Sequence, residues 1–79
     1  MSDSLRYGIS GTGMMGCEHI RNILEIRNSV VTAIADPDEE SRRFGAFACN
    51  ASGEPPTVFD DYRELLQSDR VDAVVIASP

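Results

Sequence analysis

The sequence predicts an α/β fold in which helices alternate with the strands of a parallel sheet. Two nearly continuous apolar, β-branched runs, at 30–35 and 71–77, are typical of strands that are covered on both faces. Stretches with helical spacing separate the strand-like runs, and the resulting order β-α-β-α-β-α-β implies right-handed crossover connections. A chain of 79 residues has room for one small domain with one modest core.

The first strand and the first helix meet at a glycine-rich turn. Residues 5–10 form a short strand-like run, which the turn at 11–13 closes. From position 14 to about 27, apolar residues recur at helical spacing, which predicts an amphipathic helix. We expect residues 28–29 to end this helix before the second strand at 30–35.

Asp36 is predicted to start the second helix. It is a residue type that favours N-caps, Pro37 follows it in the first turn, and an acid stands three residues after it. We expect this helix to run to about Cys49 and residues 50–56 to form a loop.

A short strand, a helix and a last strand complete the predicted order. Residues 57–59 favour the short strand, and Asp61 with Glu64 has the spacing of a capping box for the third helix. A turn at 68–70 then leads into the strand at 71–77, which we expect to be buried.

The charge balance excludes several classes of partner and chemistry. Seven arginines, no lysine and thirteen acids give a net charge of -6, which opposes binding to nucleic acid and to anionic membranes. We therefore predict neither partner. The absence of lysine also excludes Schiff-base chemistry and a lysine general acid within this chain.

Sequence signals for export and membrane insertion are missing. Residues 1–4 lack the basic and apolar regions of a secretory signal, and no apolar stretch approaches the roughly 18 residues of a membrane span. We expect a cytoplasmic protein, in which Cys17 and Cys49 remain thiols because the compartment is reducing.

The motif that carries chemistry lies at 11–16, where the residues read Gly-Thr-Gly-Met-Met-Gly. This G-x-G-x-x-G pattern directly follows the first strand and opens the first helix, which is the context that a dinucleotide site requires. Gly11 allows the tight turn, Gly13 lets a pyrophosphate approach the backbone, and Gly16 lets helix and strand pack closely. Backbone amides at the helix start can then bind a diphosphate without any lysine.

Asp36 is the second part of the predicted site. It stands twenty residues after Gly16, at the carboxyl end of the second strand, where an acid binds the adenosine ribose. A carboxylate there favours NAD over NADP, because it repels a 2'-phosphate. Two alternatives remain open: Asp36 only caps the second helix, or the glycines are structural turns without a nucleotide.

Other polar residues have simpler interpretations. We expect His19 to pack or hydrogen-bond within the first helix, since it lies too far along the motif to reach a nicotinamide. Cys17 is interpreted as a small residue packed beside the glycine turn, although a helix start can favour a thiolate. No cluster has the spacing of metal ligands, so we predict no metal site.

Four segments and His19 together resemble the N-terminal domain of the Gfo/Idh/MocA oxidoreductases. This family includes glucose-fructose oxidoreductase and myo-inositol dehydrogenase, and the resemblance covers residues 5–79. It implies a Rossmann-type fold, of which this chain has the first mononucleotide-binding half plus the fourth strand. The segments are Tyr-Gly-Ile-Ser-Gly-Thr-Gly-Met-Met-Gly, Val-Thr-Ala-Ile-Ala-Asp-Pro-Asp, Val-Phe-Asp-Asp-Tyr-Arg-Glu-Leu-Leu and Val-Asp-Ala-Val-Val-Ile-Ala-Ser-Pro.

The resemblance also implies roles for individual positions. Residues 11–15 are similar to the family's dinucleotide loop, in which Thr12, Met14 and Met15 contribute backbone amides and side-chain cover. Asp36 is similar to its adenosine-ribose acid. Three further residues correspond to the start of the loop that lines the cofactor near its nicotinamide half: Ala77, Ser78 and Pro79.

The family pattern includes parts that these 79 residues lack. In the family an Asn and a His follow in that loop, a Glu-Lys-Pro motif supplies a lysine near the reacting carbon, and a second domain holds a sugar-like substrate. The resemblance therefore implies the cofactor-binding part of an NAD(P)-dependent oxidoreductase, inactive by itself. The alternative is a half-Rossmann module that binds a nucleotide or a partner without chemistry and exposes its fourth strand to self-association.

Overall fold

The computed structural model describes residues 5–26, 28–49 and 55–77, with residues 14 and 15 described by their backbone alone. Along these ranges four strands and three helices alternate in the predicted order. The strands are β1 (Leu5–Ser10), β2 (Ser29–Ala35), β3 (Thr57–Phe59) and β4 (Ala73–Ile76), and the helices are α1 (Met14–Leu24), α2 (Glu39–Cys49) and α3 (Tyr62–Leu66).

The four strands form one parallel sheet in the order β3-β2-β1-β4, which confirms the predicted fold class. The chain moves outward from β1 to β3 and then crosses back to place β4 on the other side of β1. Ligands of such sheets bind at this reversal of strand order, outside the carboxyl ends of the strands. The sheet therefore positions the residues that follow β1 and β2 at its functional edge.

Strand β2 contributes to the core on both faces of the sheet, as its apolar sequence predicts. Val31 and Ile34 belong to the cluster that α1 and α2 cover, whereas Ala33 and Ala35 pack with Leu65 of α3. The pairing of β1 with β2 shifts register between positions 7 and 8. This bulge lets positions 31 and 34 share one face despite their odd separation.

The start of α2 differs from the prediction. Asp38, not Asp36, caps this helix, because the Asp38 Oδ2 atom accepts a hydrogen bond from the Ser41 amide at 2.9 Å. Helix α2 accordingly begins at Glu39, so Pro37 lies before the helix and not in its first turn. The interpretation of Asp36 as the N-cap is wrong, and its carboxylate has other partners.

Two other elements are shorter than predicted. Helix α1 ends at Leu24, and Asn28 then adopts a left-handed φ of 64° that turns the chain into β2. Strand β4 covers Ala73–Ile76, and Ile76 is 69% exposed because β4 pairs with β1 alone within the described chain. The prediction that this last strand is buried is therefore wrong, whereas the predicted exposed edge is present. The loop predicted at 50–56 lies outside the described residues except for Pro55 and Pro56.

Among the described residues, no helix has the length and apolar character of a membrane span.

Acid is expected to weaken the fold through the ion pair that joins β1 to the start of β4. Arg6 binds both carboxylate oxygens of Asp72 through Nε (3.2 Å) and Nη2 (3.0 Å), and the Arg6 amide donates at 2.9 Å. The Arg6 side-chain bonds, followed by its amide, lower the pKa of Asp72 below its ordinary 3.8. A lowered pKa means that this stabilisation is present above about pH 4 and is lost as the pH falls through the pKa of the folded state.

Urea unfolding at pH 7 and pH 3 measures this effect. We expect Asp72→Asn to lower the urea midpoint at pH 7 and to reduce the difference between the two pH values. Glu18→Gln, at an exposed position on α1, is the charge-matched control and keeps the wild-type pH dependence. An Asp72→Asn variant with the full wild-type pH dependence would show that the Arg6 pair contributes nothing to it.

Candidate dinucleotide-binding site

The glycine turn between β1 and α1 has the geometry that its sequence predicts. Gly11 has a φ of 93°, a conformation that side chains rarely adopt, and its amide donates to the Ala35 carbonyl at 2.7 Å. A Cβ atom on Gly16 would overlap the carbonyl oxygen of Gly11. Helix α1 therefore packs directly against the turn, and only glycine fits at position 16.

The start of α1 is open to solvent at Gly13. Gly13 is the N-cap of α1 without a side-chain cap, and a Cβ atom built on it would meet nothing within 4 Å. The Cys17 amide donates to the Gly13 carbonyl at 3.0 Å, so the amides at 14–16 precede the first intrahelical bond. Open space next to such amides is the arrangement that binds phosphate groups.

The Asp36 carboxylate is held beside this turn by two backbone amides. Its Oδ2 atom accepts from the Thr12 amide at 2.7 Å, and its Oδ1 atom accepts from the Asp38 amide at 2.9 Å. Arg42 adds a bond from Nη1 to the Asp36 main-chain carbonyl at 2.8 Å. The acid is therefore fixed in position at the carboxyl end of β2 before any ligand arrives.

Thr12 links the turn to α2. Its side chain is fully buried, its Oγ1 atom donates to the Ser41 carbonyl at 2.7 Å, and a Cβ atom on Gly45 would lie 2.8 Å from it. Because the Thr12 amide already donates to Asp36, it is not available to a phosphate in this conformation. The resemblance implies that the Thr12 amide binds the cofactor, whereas in this structure the amide is bound to Asp36. A contact between Thr12 and the cofactor stays a prediction.

A pocket of about 500 Å³ lies at the carboxyl edge of the sheet. The ends of β1 and β2 line it together with residues 60–63, which follow β3 and include the start of α3. Residues 60–63 were not among the predicted site residues, although two acids and an aromatic residue directly after a strand are a usable signal. The lining residues are Ser10, Gly11, Ala35, Asp36, Pro37, Asp60, Asp61, Tyr62 and Arg63.

Asp61 and Arg63 form an ion pair at the rim of this pocket. Asp61 caps α3 as predicted by accepting from the Arg63 amide at 2.9 Å, and the Arg63 Nη2 atom binds Asp61 Oδ2 at 2.9 Å. The Arg63 side chain, followed by its amide, lowers the pKa of Asp61, and Asp61 raises the pKa of Arg63. The Arg63 charge is therefore already paired within the rim.

Of the predicted site residues after β4, the structure describes Ala77 alone. The Ala77 amide donates to the Ser10 carbonyl at 2.8 Å, so Ala77 lies at the same edge as the glycine turn. Ser78, Pro79 and the side chains of Met14 and Met15 lie outside the described residues.

The cysteines and the histidine have structural positions. Cys17 and Cys49 form no disulfide with each other, and the Cys17 Sγ atom lies 3.4 Å from the Thr12 carbonyl oxygen. Burial raises the pKa of the Cys17 thiol. Burial, and to a smaller extent the neighbouring Cys17, raises the pKa of the Cys49 thiol to about 12. His19 is half-buried on α1. In the described part of the chain, no three His, Cys, Asp or Glu side chains are grouped so that they could hold a metal ion.

These features together define a Rossmann-type dinucleotide-binding domain: a glycine turn at β1, an open helix start and a carboxylate at the end of β2. The oxidoreductase family with an NAD-binding Rossmann fold, Gfo/Idh/MocA, matches residues 5–79. The chain belongs to this family, as its sequence segments indicate.

Relatives of known activity and structure support the assignment. The chain is 42% identical over 79 residues to inositol 2-dehydrogenase of Rubrobacter xylanophilus, a match that covers 99% of this chain and 21% of that protein. It is similar to the structure of Lactobacillus casei myo-inositol dehydrogenase in complex with NAD(H) and myo-inositol, with a TM-score of 0.79 and 30% identity. That match covers 95% of this chain and 22% of the Lactobacillus casei chain. Apo scyllo-inositol dehydrogenase of Lactobacillus casei superposes with a TM-score of 0.84 at 25% identity, and the match covers 100% of this chain and 22% of that one. The chain thus spans about a fifth of the length of these relatives.

Proposed function

We propose that these residues bind NAD(H), with the adenosine ribose on Asp36 and the pyrophosphate at the start of α1. The observation that carries this proposal is the Asp36 carboxylate, fixed by the Thr12 and Asp38 amides next to the open Gly13 position. Each carboxylate oxygen has lone pairs beyond the one that its amide uses, so both can accept from ribose hydroxyls.

The charges around the pocket support NAD over NADP. Three carboxylates line it, those of Asp36, Asp60 and Asp61, and only Arg63 opposes them. Arg63 is already paired with Asp61, and Arg42 binds the main-chain carbonyl of Asp36, so among the described residues no salt bridge compensates the Asp36 or Asp60 carboxylate. A 2'-phosphate on the ribose would be placed against these negative charges and would lose affinity.

The proposed reaction is hydride transfer between NAD(H) and an alcohol carbon of a cyclitol or sugar, which the names of the inositol dehydrogenase relatives suggest. The nicotinamide supplies the hydride chemistry. The residues described above bind and orient the dinucleotide. The 79 residues include no lysine, and their one histidine lies on α1. We propose that the group that accepts the alcohol proton lies outside these residues.

Calorimetric titration with NAD, NADP and AMP tests the proposal. We expect NAD and AMP to bind, and NADP to bind at least about tenfold more weakly than NAD because of the charge repulsion. Absence of binding by all three at millimolar concentration would refute the dinucleotide function. Hydride transfer to NAD by the 79-residue chain alone would contradict the proposal that these residues only bind and orient the dinucleotide. Binding without hydride transfer also fits a module that binds a nucleotide without chemistry.

A further inference from the structure

Gly45 is a buried glycine in the interior of α2. Glycine is unfavourable at such a position, because it loses more backbone freedom on folding than alanine does. Gly45 has no positive φ, so its backbone conformation does not require glycine either. The reason for a glycine at this position therefore lies in what α2 packs against.

Thr12 of the glycine turn fills the space beside Gly45. A Cβ atom on Gly45 would lie 2.8 Å from both the Cβ and the Cγ2 atoms of Thr12, and 3.0 Å from the Cδ1 atom of Ile34. Carbon atoms in contact are normally about 3.5–4.0 Å apart. Ile34 can yield because its Cδ1 atom is the end of a flexible side chain, whereas the Thr12 Cβ atom is attached directly to the backbone of the turn. A side chain at position 45 would therefore displace Thr12.

Thr12 cannot avoid this displacement by a change of rotamer. Its side chain is fully buried, and its Oγ1 atom donates to the Ser41 carbonyl at 2.7 Å. The branched Cβ atom further restricts rotation about χ1. Pressure from position 45 would therefore move the main chain of Thr12.

The main chain of Thr12 holds the Asp36 carboxylate in place. The Thr12 amide donates to Asp36 Oδ2 at 2.7 Å, and a hydrogen bond weakens steeply when its length or angle departs from the optimum. Arg42 of α2 binds the main-chain carbonyl of the same acid at 2.8 Å. Helix α2 thus holds Asp36 at two points, directly through Arg42 and indirectly through the packing of Gly45 on Thr12.

We propose that Gly45 is a positioning residue of the cofactor site. Acting through Thr12, it sets the place of the Asp36 carboxylate and thereby the preference for NAD over NADP. The proposal rests on the dinucleotide function proposed above, and it adds the packing of α2 on the glycine turn as a determinant of cofactor choice.

Gly45→Ala and Gly8→Ala are matched variants that test this role. Each adds one methyl group at a crowded position, but a Cβ atom on Gly8 would lie 2.9 Å from Leu65 Cδ1 and from Val71 Cγ1, which are ends of side chains away from the turn. We expect Gly45→Ala to lower the NAD affinity about fivefold, the size of one hydrogen bond. The NADP affinity should fall less, because a displaced carboxylate also repels the 2'-phosphate less. Gly8→Ala should keep the wild-type ratio of the two affinities, which calorimetric titration measures.

A second pair of variants relieves the crowding at position 45. Thr12→Ser removes the Cγ2 atom, one of the two Thr12 atoms that the added methyl group would meet, and keeps the hydroxyl group. The double variant Thr12→Ser/Gly45→Ala should therefore recover part of the stability and part of the NAD to NADP ratio that Gly45→Ala loses. Its ratio should still lie below that of Thr12→Ser, a comparison that holds even where Gly45→Ala alone does not fold. Circular dichroism verifies the folding of each variant.

Hydrogen exchange of the Thr12 amide measures the same link without any cofactor. In the wild type this amide is bound to Asp36, which protects it from exchange. We expect the amide to exchange about fivefold faster in Gly45→Ala than in the wild type, the effect of weakening one hydrogen bond. Gly8→Ala should keep the wild-type rate at Thr12.

The outcomes distinguish this role from the dinucleotide function. An unchanged NAD to NADP ratio in both comparisons, an unchanged exchange rate at Thr12, or an equal fall of the ratio in Gly8→Ala would overturn the positioning role while NAD binding by the wild type stands. If the wild type binds neither NAD nor AMP, the dinucleotide function fails, and the role of Gly45 in cofactor choice fails with it.

Discussion

Replacing Asp36 with alanine is expected to weaken NAD binding by at least about tenfold, the effect of losing one hydrogen bond to a charged acceptor. The variant removes the proposed acceptor of the ribose hydroxyls. It also leaves the Thr12 and Asp38 amides without the oxygens that they bind in the wild-type structure, so the glycine turn loses its fixed position. NADP should be weakened less than NAD, because the same change removes a charge that repels the 2'-phosphate.

Asp38→Ala is the control that separates cofactor binding from helix capping. Asp38 caps α2 through the Ser41 amide, so its loss should cost about 1 kcal/mol of stability. The ratio of NAD to NADP affinity should stay as in the wild type. Calorimetry with both cofactors measures the ratio, and urea unfolding measures the stability. Equal weakening of NAD and NADP by Asp36→Ala would show that Asp36 acts on the fold alone.

Replacing Gly16 with alanine is expected to lower the free energy of unfolding by about 3 kcal/mol, at the upper end of the usual cost of overpacking. The added Cβ atom would overlap the carbonyl oxygen of Gly11 and lie 2.8 Å from its carbon. The turn cannot simply retreat, because the Gly11 amide is bound to the Ala35 carbonyl at 2.7 Å. Helix α1 must therefore move away from β1, which disturbs the core cluster that includes Ile20 of α1 and Ile9 of β1.

Gly13→Ala is the matched variant at a position where a methyl group has room. Gly13 has a φ of -70°, and no atom lies within 4 Å of the added Cβ, so stability should change by less than about 0.5 kcal/mol. The methyl group would instead occupy the space through which the pyrophosphate approaches, and NAD binding should weaken. Urea unfolding and NAD titration of both variants measure the two effects. A Gly16→Ala variant as stable as the wild type would contradict the close packing, and unchanged NAD binding by Gly13→Ala would place the phosphates elsewhere.

Patterns local in the sequence predicted most of the secondary structure. The run at 30–35 became a strand buried on both faces, and the glycines at 11 and 16 occupy the positions that their motif requires. These predictions succeeded because backbone sterics and apolar periodicity act over a few residues. The helix boundary at Asp36 failed for the opposite reason. Asp36 and Asp38 are both residue types that cap helices, and the Asp36 carboxylate instead accepts from the amides of Asp38 and of Thr12, which is distant in sequence.

The sequence by itself determined the order of strands and helices, the glycine turn and the acid after β2, because each depends on residue type and short spacing. The tertiary structure decided which partners these residues have. It brought the segment at 60–63 against Asp36 to form one pocket, and it left β4 half-exposed beside β1. Such contacts depend on how the parallel strands align their carboxyl ends, and a contact between positions more than twenty residues apart leaves no periodic trace in a single sequence.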